Sequence, residues 1–409
     1  MSGSLVVSLA DASSAAEVGG KGASLGDLAR IGVRVPPGFV VTAGAFAESM
    51  AAIDGGGTFR AAIEALPADD LALIGRTAAA FRSRVVSAPL PPAVAVAIEA
   101  GYAELGGPAA DVAVRSSATV EDSAEASFAG LQDTYLGVCG ASSVLDHVRR
   151  CWASLYNDES VAYRRRLGMP ETGVAMAVVV QRMVRPRAAG VMFTRSPVTG
   201  DRSVVAIEGT WGLGSALVSG DVTPDSFVIS KITGEITGRR VSPKARLHSL
   251  TPNGPGVTVT DTPADLREAP CLTDDEIRAL ADAGRRVEAH QGAPQDIEWA
   301  ILEEDASPDP AASAAPDPAA SPDPPASPAS PDPAASPDQA ASPASADPAA
   351  SPDPPASPAS PDPAASAAKR IVLLQSRPET VWAARAATPV AAPKPHAADH
   401  VLGLFGKPL

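Results

Sequence analysis

Two short segments, on either side of a repetitive stretch, carry polar residues of the types that bind metals and phosphates. Both segments alternate polar and apolar residues, as half-buried β-strands do. Because side chains alternate faces along a strand, Asp296 and Glu298 share one face of the first segment, and Gln375 and Arg377 share one face of the second. Carboxylate and amide oxygens suit Mg²⁺, and a guanidinium suits phosphate. Antiparallel pairing of the two segments therefore predicts a metal and phosphate site, with a solvated polar face as the alternative.

A lysine lies among glycines at the predicted start of a helix. Residues 19–22 read Gly-Gly-Lys-Gly, and the apolar spacing that follows predicts a helix over 22–31. Backbone N–H groups at a helix start favour an anion, and Lys21 adds a positive charge there. The segment is not a Walker A loop, because the Gly-Lys-[Ser/Thr] spacing is missing. A helix start that needs small residues accounts for the segment equally well.

An arginine ends a predicted strand and precedes a loop of small residues. Arg115 follows the apolar residues 112–114, and the loop after it includes Ser127 and Gly130. A guanidinium beside hydroxyl groups and free backbone N–H groups suits the gripping of phosphates. A surface loop with an arginine in a salt bridge is the alternative interpretation.

The stretch between the two polar strands is a low-complexity repeat. Residues 306–368 contain only Ala, Ser, Pro, Asp and one Gln, and the string 317–336 recurs unchanged at 347–366. Such a composition cannot repay the entropy of ordering, so we predict a disordered segment. Since the entropy of loop closure grows only logarithmically with length, the two strands can still form a hairpin around it.

Elsewhere, helical and strand patterns alternate without a regular βαβ succession, which predicts the α+β class. Residues 144–166 carry apolar side chains at helical spacing over their whole length. Another helix is predicted from 274, where Thr273 and Glu276 have the spacing of a capping box.

Composition excludes several classes of protein. The chain has 409 residues, and its 33 Lys and Arg against 47 Asp and Glu give a formal net charge of −14, without the basic cluster that nucleic-acid binding needs. A run of about 18 apolar residues is missing, so we expect no membrane span. The first residues lack the features of a secretory signal, and three widely spaced cysteines fit a reducing compartment. A cytoplasmic location is therefore expected.

Taken together and in this order, the motifs resemble one known family, the N-terminal ATP/AMP-binding domain of pyruvate phosphate dikinase and phosphoenolpyruvate synthase, which is also found in rifampicin phosphotransferases. The resemblance extends from about residue 5 to residue 382 and is interrupted by the repeat. The motifs that carry it lie at residues 19–26, 35–39, 114–118, 127–130, 180–184, 190–194, 211–214, 296–299 and 374–380.

The resemblance implies an ATP-grasp fold, in which a nucleotide binds between two lobes. The expected first lobe covers residues 1–178, and the second covers 179–305 and is completed by 369–385. The repeat at 306–368 and a C-terminal tail at 386–409 lie outside both lobes.

The resemblance also implies roles for residues that hold the nucleotide. Lys21 and Arg115 are expected to hold the ATP phosphates and to take part in catalysis, and the loop 127–130 is expected to cover them. Gln181 and the backbone near Met183 are expected to line the adenine pocket.

The expected metal ligands are those of the hairpin. Glu298 and Gln375 would bind Mg²⁺ with Asp296 in support, and Arg377 would contact the phosphates being transferred as a third catalytic residue.

Family members that complete the reaction pass a phosphoryl group from ATP to a histidine on a separate swivelling domain. None of the five histidines of this sequence has the Thr/Ser-His-Ala setting of that carrier. We therefore expect a stand-alone nucleotide domain that donates to a partner protein carrying the histidine, a pyruvate-type domain, or both. The alternatives are a component of a small-molecule phosphotransferase of the antibiotic-modifying type and a non-catalytic ATP-binding regulatory module.

Overall fold

The computed structural model of the chain describes residues 3–107, 109–119, 122–123, 126–127, 133–252, 254–303, 363–380 and 382. They form the mixture of helices and antiparallel strands that the sequence predicts for the α+β class. The helices are α1 (Ala15–Arg30), α2 (Ala43–Asp54), α3 (Thr58–Glu64), α4 (Leu71–Ser87), α5 (Pro92–Glu104), α6 (Ala141–Ser154), α7 (Asp158–Arg166), α8 (Ser215–Val218), α9 (Ala264–Arg267), α10 (Asp274–Gln291) and α11 (Pro363–Arg370).

The strands are β1 (Val6–Ser8), β2 (Gly38–Val41), β3 (Val112–Ala118), β4 (Asp122–Ser123), β5 (Ala126–Ser127), β6 (Thr134–Val138), β7 (Met176–Arg182), β8 (Pro186–Phe193), β9 (Val204–Trp211), β10 (Asp225–Ser230), β11 (Ile236–Arg240), β12 (Arg246–Leu250), β13 (Val257–Asp261), β14 (Gln295–Leu302) and β15 (Ile371–Pro378). In the part of the chain that is described, no single helix is long and apolar enough to cross a membrane; only the bent pair α4 and α5, counted together, meets that criterion by length and composition.

A five-stranded antiparallel sheet in the order β1-β2-β7-β3-β6 is the first of the two main sheets. Alternation along β3 separates its two faces: Val112 and Val114 lie in the apolar core shared with the first-lobe helices, whereas Ala113 and Arg115 face the other way, into a cavity. All of β7 pairs within this sheet, between β2 and β3. The sequence-based lobe boundary at 178/179 therefore falls inside a strand, and the first sheet extends to Arg182.

A six-stranded sheet in the order β11-β10-β9-β8-β14-β15 is the second of the two main sheets. One face packs against α10, whose N-terminal capping box between Thr273 and Glu276 is present as predicted. Trp299 is fully buried on this face over two glycines of the neighbouring strands. A Cβ atom added at Gly190 or Gly209 would lie 2.8 or 2.9 Å from the tryptophan ring, so the ring fits only because both residues lack a side chain.

Helix α1 joins the two sheets, with contacts to β3, β7 and β15. It begins at Ala15, earlier than the predicted 22–31, and is kinked at Gly19, which has φ of +70°. A Cβ at Gly19 would lie 2.1 Å from the carbonyl oxygen of Ser117, so glycine is required at this approach to β3. On the opposite side, Ser24 Oγ donates to the carbonyl of Ser376 on β15 at 2.5 Å.

The polar segments pair as antiparallel strands, as predicted. β14 and β15 are neighbours, with Asp296 opposite Arg377 and Glu298 opposite Gln375. A bulge after Glu298 shifts the register of the remaining pairs. The predicted metal ligands and the predicted phosphate contact therefore share one face of the sheet.

One part of the repeat is not disordered as predicted: residues 363–368 belong to helix α11, which packs on α10. This end of the repeat is rich in alanine, and Lys369 and Arg370 complement the dipole at its last turn. Ala367 is buried, and Arg370 Nη2 lies 3.1 Å from the buried carboxylate of Glu276. The predictions for residues 306–362 and for the tail 386–409 lie outside the described residues.

Candidate nucleotide site

A cavity of about 430 Å³ lies between the two sheets. Segments from both lobes line it: β3, β6 and the end of β7 from the first, and β8, β14, β15 and the α8 region from the second. The lining residues are Ala113, Arg115, Thr134, Leu136, Gln181, Arg182, Met183, Val184, Pro186, Ala189, Gly190, Val191, Leu213, Gly214, Ser215, Val218, Ser219, Glu298, Trp299 and Leu374.

Arg115 connects the two sheets at the polar end of this cavity. Its side chain is only 10% exposed. One guanidinium nitrogen, Nη1, donates to the carbonyl of Leu374 at 2.7 Å, and the other, Nη2, donates to Glu298 Oε2 at 3.0 Å. Nη2 also donates to the amide oxygen of Gln375 through a short hydrogen bond. The structure thus brings together three of the predicted site residues from segments far apart in sequence.

The other end of the cavity is mostly apolar, with Met183, Val184 and Pro186 among its lining residues. Gln181 is buried there, and its Nε2 donates to the carbonyl of Pro36 at 3.1 Å. The backbone N–H of Met183 donates to the carbonyl of residue 111 at 2.9 Å, so this amide is already occupied. Both residues predicted for the adenine pocket therefore line the cavity, with their hydrogen-bonding groups partly used to hold the wall in place.

Lys21 is not among the residues that line the cavity. It lies on α1, beside the β3 segment that follows Arg115, where the N–H of Gly22 donates to Ser117 Oγ at 3.1 Å. Burial raises the pKa of the Cys151 thiol on the far side of β3, and the charge of Lys21 opposes that rise. The lysine is therefore close to the predicted phosphate-binding strand but outside the cavity wall.

The predicted covering loop falls mostly outside the described residues. The backbone of Ser127 belongs to β5 and pairs with that of Asp122 on β4. Gly130 lies outside the described residues, as do the other positions between 128 and 132.

Asp296 and Arg377 form a second polar pair on the same sheet face, 3.6 Å apart between Oδ2 and Nε. Burial raises the pKa of Asp296 to about 6; Arg377 opposes this rise, and the carboxylate of Glu379 adds to it. The other oxygen of Asp296, Oδ1, is buried and has no hydrogen-bond partner among the described residues. Glu379 in turn lies 3.7 Å from Arg195, so this end of the hairpin holds two carboxylates and two arginines.

The donor set of the hairpin fits a Mg²⁺ ion. Glu298 and Gln375 are directly opposite each other, and Asp296 lies two residues along the same face with an unpartnered oxygen. Carboxylate and amide oxygens are hard donors of the type that Mg²⁺ prefers. Within the described ranges no group of three or more His, Cys, Asp or Glu could hold a metal, and the hairpin offers two carboxylates and one amide.

Sequence reasoning did not assign a role to the wall formed by residues 213–219. Ser215 and Ser219 line the cavity from this wall, one turn apart. The motif 211–214 contains two glycines, but the neighbours that this segment brings together are distant in sequence.

Residues 15–307 match the family described as "Pyruvate phosphate dikinase, AMP/ATP-binding domain". The chain is also similar to curated proteins. It is 48% identical over 305 residues to a rifampicin phosphotransferase from a Streptomyces species, a match covering 74% of this chain and 35% of that protein. It is 44% identical over 292 residues to a probable phosphoenolpyruvate synthase from Methanothermobacter thermautotrophicus, covering 70% and 42%.

A third relative is the phosphoenolpyruvate synthase of Pyrococcus furiosus, with 38% identity over 329 residues, covering 70% of this chain and 40% of the relative. The chain spans between 35% and 42% of the length of these three proteins.

Proposed function

This chain belongs to the pyruvate phosphate dikinase AMP/ATP-binding domain family, and from that premise we propose that its cleft binds Mg·ATP for phosphoryl transfer. The observation that carries the proposal is the single cavity that joins an apolar end at Gln181 and Met183 to a charged end at Arg115 and Glu298. A nucleotide has the same polarity, with an aromatic base at one end and phosphates at the other. Adenine fits the first end, and the triphosphate fits the second.

Arg115 is the proposed central phosphate ligand. Its guanidinium has five N–H donors in a planar fork, which matches phosphate oxygens as well as the carboxylate that it holds in this structure. Arg377, with a side chain 44% exposed, can reach the phosphates from the same sheet face. Lys21 and the loop 127–130 would act from the α1 side of β3, with the lysine turning toward the phosphates when the nucleotide is bound.

Glu298 and Gln375, supported by Asp296, would hold Mg²⁺. The ion would neutralise phosphate charge and so assist transfer between negatively charged groups. For the metal to bind, the hydrogen bonds from Arg115 to the oxygens of Glu298 and Gln375 would have to break. The guanidinium would then donate to the phosphate oxygens instead.

We propose that the phosphoryl group passes to a histidine on a separate partner protein. Among the described residues, the cavity lining includes neither a histidine nor a cysteine, and its nucleophiles are the hydroxyl groups of Thr134, Ser215 and Ser219. Lysine, arginine and Mg²⁺ position phosphates and stabilise charge, whereas an acceptor must supply a nucleophile.

The test combines the protein, a candidate carrier protein and radiolabelled ATP. The proposal predicts release of AMP together with two phosphoryl transfers, one that forms a labelled, acid-labile phosphohistidine on the carrier and one to water or inorganic phosphate. Glu298→Gln should abolish both. Normal ATP binding with no label on any histidine-bearing partner would overturn the transfer step. ATP binding without any AMP release would instead support the regulatory-module alternative.

A second candidate is a component that modifies a small molecule of the antibiotic type. The 48% identity to a rifampicin phosphotransferase favours it. Rifampicin added with the carrier and with the portion of such a relative that this chain does not match tests this candidate, because phosphorylated antibiotic would appear by mass spectrometry.

A further inference from the structure

A chain of polar side chains lies along the α8 wall of the cleft. Ser215 Oγ is 3.0 Å from Nδ1 of His248, whose side chain is 7% exposed. Nε2 of the same ring lies 3.1 Å from Asp221 Oδ2, without the geometry of a hydrogen bond. Ser219 Oγ donates to the same carboxylate oxygen at 2.6 Å. Both serines line the cavity, whereas the imidazole stands behind them.

The hydrogen bonds fix what the two serines offer to the cleft. A carboxylate can only accept, so the hydroxyl proton of Ser219 points to Asp221. The carboxylate next to Nε2 favours the imidazole tautomer that carries its proton on that nitrogen. Nδ1 of His248 is then an acceptor, and the hydroxyl of Ser215 donates a hydrogen bond to it. Each serine oxygen can therefore accept a hydrogen bond from a donor in the cleft. The two oxygens are neighbours, because residues four apart lie on one face of a helical turn.

The position of this wall along the cleft is set by β8. Along the cavity, that strand passes from Pro186, at the apolar end, to Val191, which pairs with Glu298 on β14. Gly214 precedes Ser215, and a Cβ built on Gly214 would lie 3.7 Å from the Cβ of Ala189. The start of α8 therefore stands over the middle of β8, between the apolar end and the arginine–carboxylate end.

The ribose of a nucleotide links the base to the phosphates and presents two adjacent hydroxyl donors, at 2′ and 3′. We infer that Ser215 and Ser219 recognise the ribose diol of the bound nucleotide and that His248 is a positioning residue that turns Ser215 toward it. The inference rests on the proposed function, because it places adenine at one end of the cavity and the phosphates at the other. It adds a sugar-recognition site to the cleft and predicts a preference for ribonucleotides.

Titration calorimetry tests the inference with Mg²⁺ complexes of ATP, 2′-deoxy-ATP and 3′-deoxy-ATP. One lost hydrogen bond of ordinary strength corresponds to roughly a tenfold change in affinity. We expect the unaltered protein to bind ATP roughly tenfold more tightly than at least one of the deoxynucleotides. Ser215→Ala should weaken ATP binding by a similar factor and leave the affinity for that deoxynucleotide unchanged. The preference for ATP should therefore disappear in this variant.

Two further variants separate recognition from support of the fold. Ser143→Ala is the matched control, because Ser143 Oγ lies 3.4 Å from Nδ1 of His147 on α6, away from the cavity. It should leave the preference for ATP unchanged. His248→Phe keeps a ring behind Ser215 but removes the acceptor of the Ser215 hydroxyl. This variant should reduce the preference for ATP over the deoxynucleotide severalfold. A purely structural role of His248 would instead weaken the binding of all three nucleotides by the same factor.

The outcomes distinguish this inference from the function on which it rests. Tight binding of all three nucleotides with equal affinity, or an undiminished preference in Ser215→Ala, would overturn ribose recognition and leave the nucleotide cleft in place. Failure of the unaltered protein to bind any of the three would overturn both.

Discussion

Arg115 and Glu298 form an ion pair across the two lobes, with Nη2 and Oε2 separated by 3.0 Å. The arginine lies on β3 of the first sheet, and the glutamate lies on β14 of the second. The same guanidinium also holds Gln375, the other proposed metal ligand. In this arrangement the positive charge of Arg115 takes the place that a metal would have beside Glu298, so we expect nucleotide and metal to bind together rather than in sequence.

Replacement of Arg115 by methionine should strengthen metal binding in the absence of nucleotide. The hydrogen bonds of Arg115 to a charged group are worth about 1.5–3 kcal/mol, so freeing Glu298 should raise the affinity for Mn²⁺ by roughly tenfold. Electron paramagnetic resonance of bound Mn²⁺ measures this affinity. Arg246→Met removes an exposed ion pair with Asp261 and serves as the control. We expect this variant to bind Mn²⁺ with the affinity of the unaltered protein. Equal Mn²⁺ affinities in the unaltered protein and Arg115→Met would show that Arg115 does not compete with the metal for Glu298.

Glu298→Gln and Lys21→Ala should each abolish phosphoryl transfer with little loss of stability. The side chain of Glu298 is 38% exposed, and Lys21 lies outside the apolar cores, so neither change leaves a large cavity. AMP release at saturating Mg·ATP measures activity, and thermal unfolding measures stability. A large drop in unfolding temperature would identify the residue as structural rather than catalytic.

The buried carboxyl of Asp296 should make stability depend on pH in the absence of metal. Its pKa is raised from 3.8 to about 6 by burial, so the folded protein binds this proton more tightly than the unfolded chain does. The contribution of this carboxyl group to the free energy of unfolding is fully present below about pH 4 and is lost as pH rises through 6.

Asp296→Asn removes this dependence. Relative to the unaltered protein, the variant should gain on the order of 2 kcal/mol in free energy of unfolding between pH 4 and pH 7, a value reduced for partial solvation from the two-unit shift. Urea titrations at both pH values, with a chelator present, measure this difference. A difference between the two proteins that does not change with pH would show that the carboxyl has an ordinary pKa.

Removal of residues 306–362, with a short connection in their place, should leave Mg·ATP binding intact. β14 and β15 already pair along their whole length, so the deleted residues serve to close a loop. The shorter loop should raise the free energy of unfolding by on the order of 1 kcal/mol.

A longer deletion that also removes α11 is the matched comparison. It takes away the contact of Arg370 with Glu276 and the hydrogen bond from Arg34 Nη1 to the carbonyl of Lys369 at 2.6 Å, and it should destabilise the protein. Calorimetry with Mg·ATP and urea titration compare both deletions with the full chain. A hundredfold loss of affinity in the shorter, folded deletion would make the repeat part of the site.

Local periodicity accounts for what the sequence predicted correctly. The alternation around Asp296 and Gln375 specified two strands and their polar faces, and the Thr273–Glu276 spacing specified a helix start. The helix predicted over 144–166 is instead two helices, α6 and α7.

Two arginine side chains bind the backbone at the break between α6 and α7. Arg164 Nη1 donates to the carbonyl of Leu155 at 2.7 Å, and Arg82 Nη1 donates to that of Tyr156 at 2.5 Å. These arginines satisfy backbone groups that a continuous helix would otherwise have used, and apolar spacing contains no signal for them. The contact of Ser215 with His248 was not foreseen for the same reason, because only the folded sheet brings β12 next to the turn at Gly212.

Photolabelling with 8-azido-ATP in the presence of Mg²⁺ tests most directly whether the cleft between the sheets is the nucleotide site. The azide lies on the adenine ring, so we predict saturable labelling within residues 181–186 or on the wall at 213–219, prevented by excess ATP. Labelling on another surface, such as the pocket that includes Lys231 and Arg285, or no labelling that ATP prevents, would contradict the account.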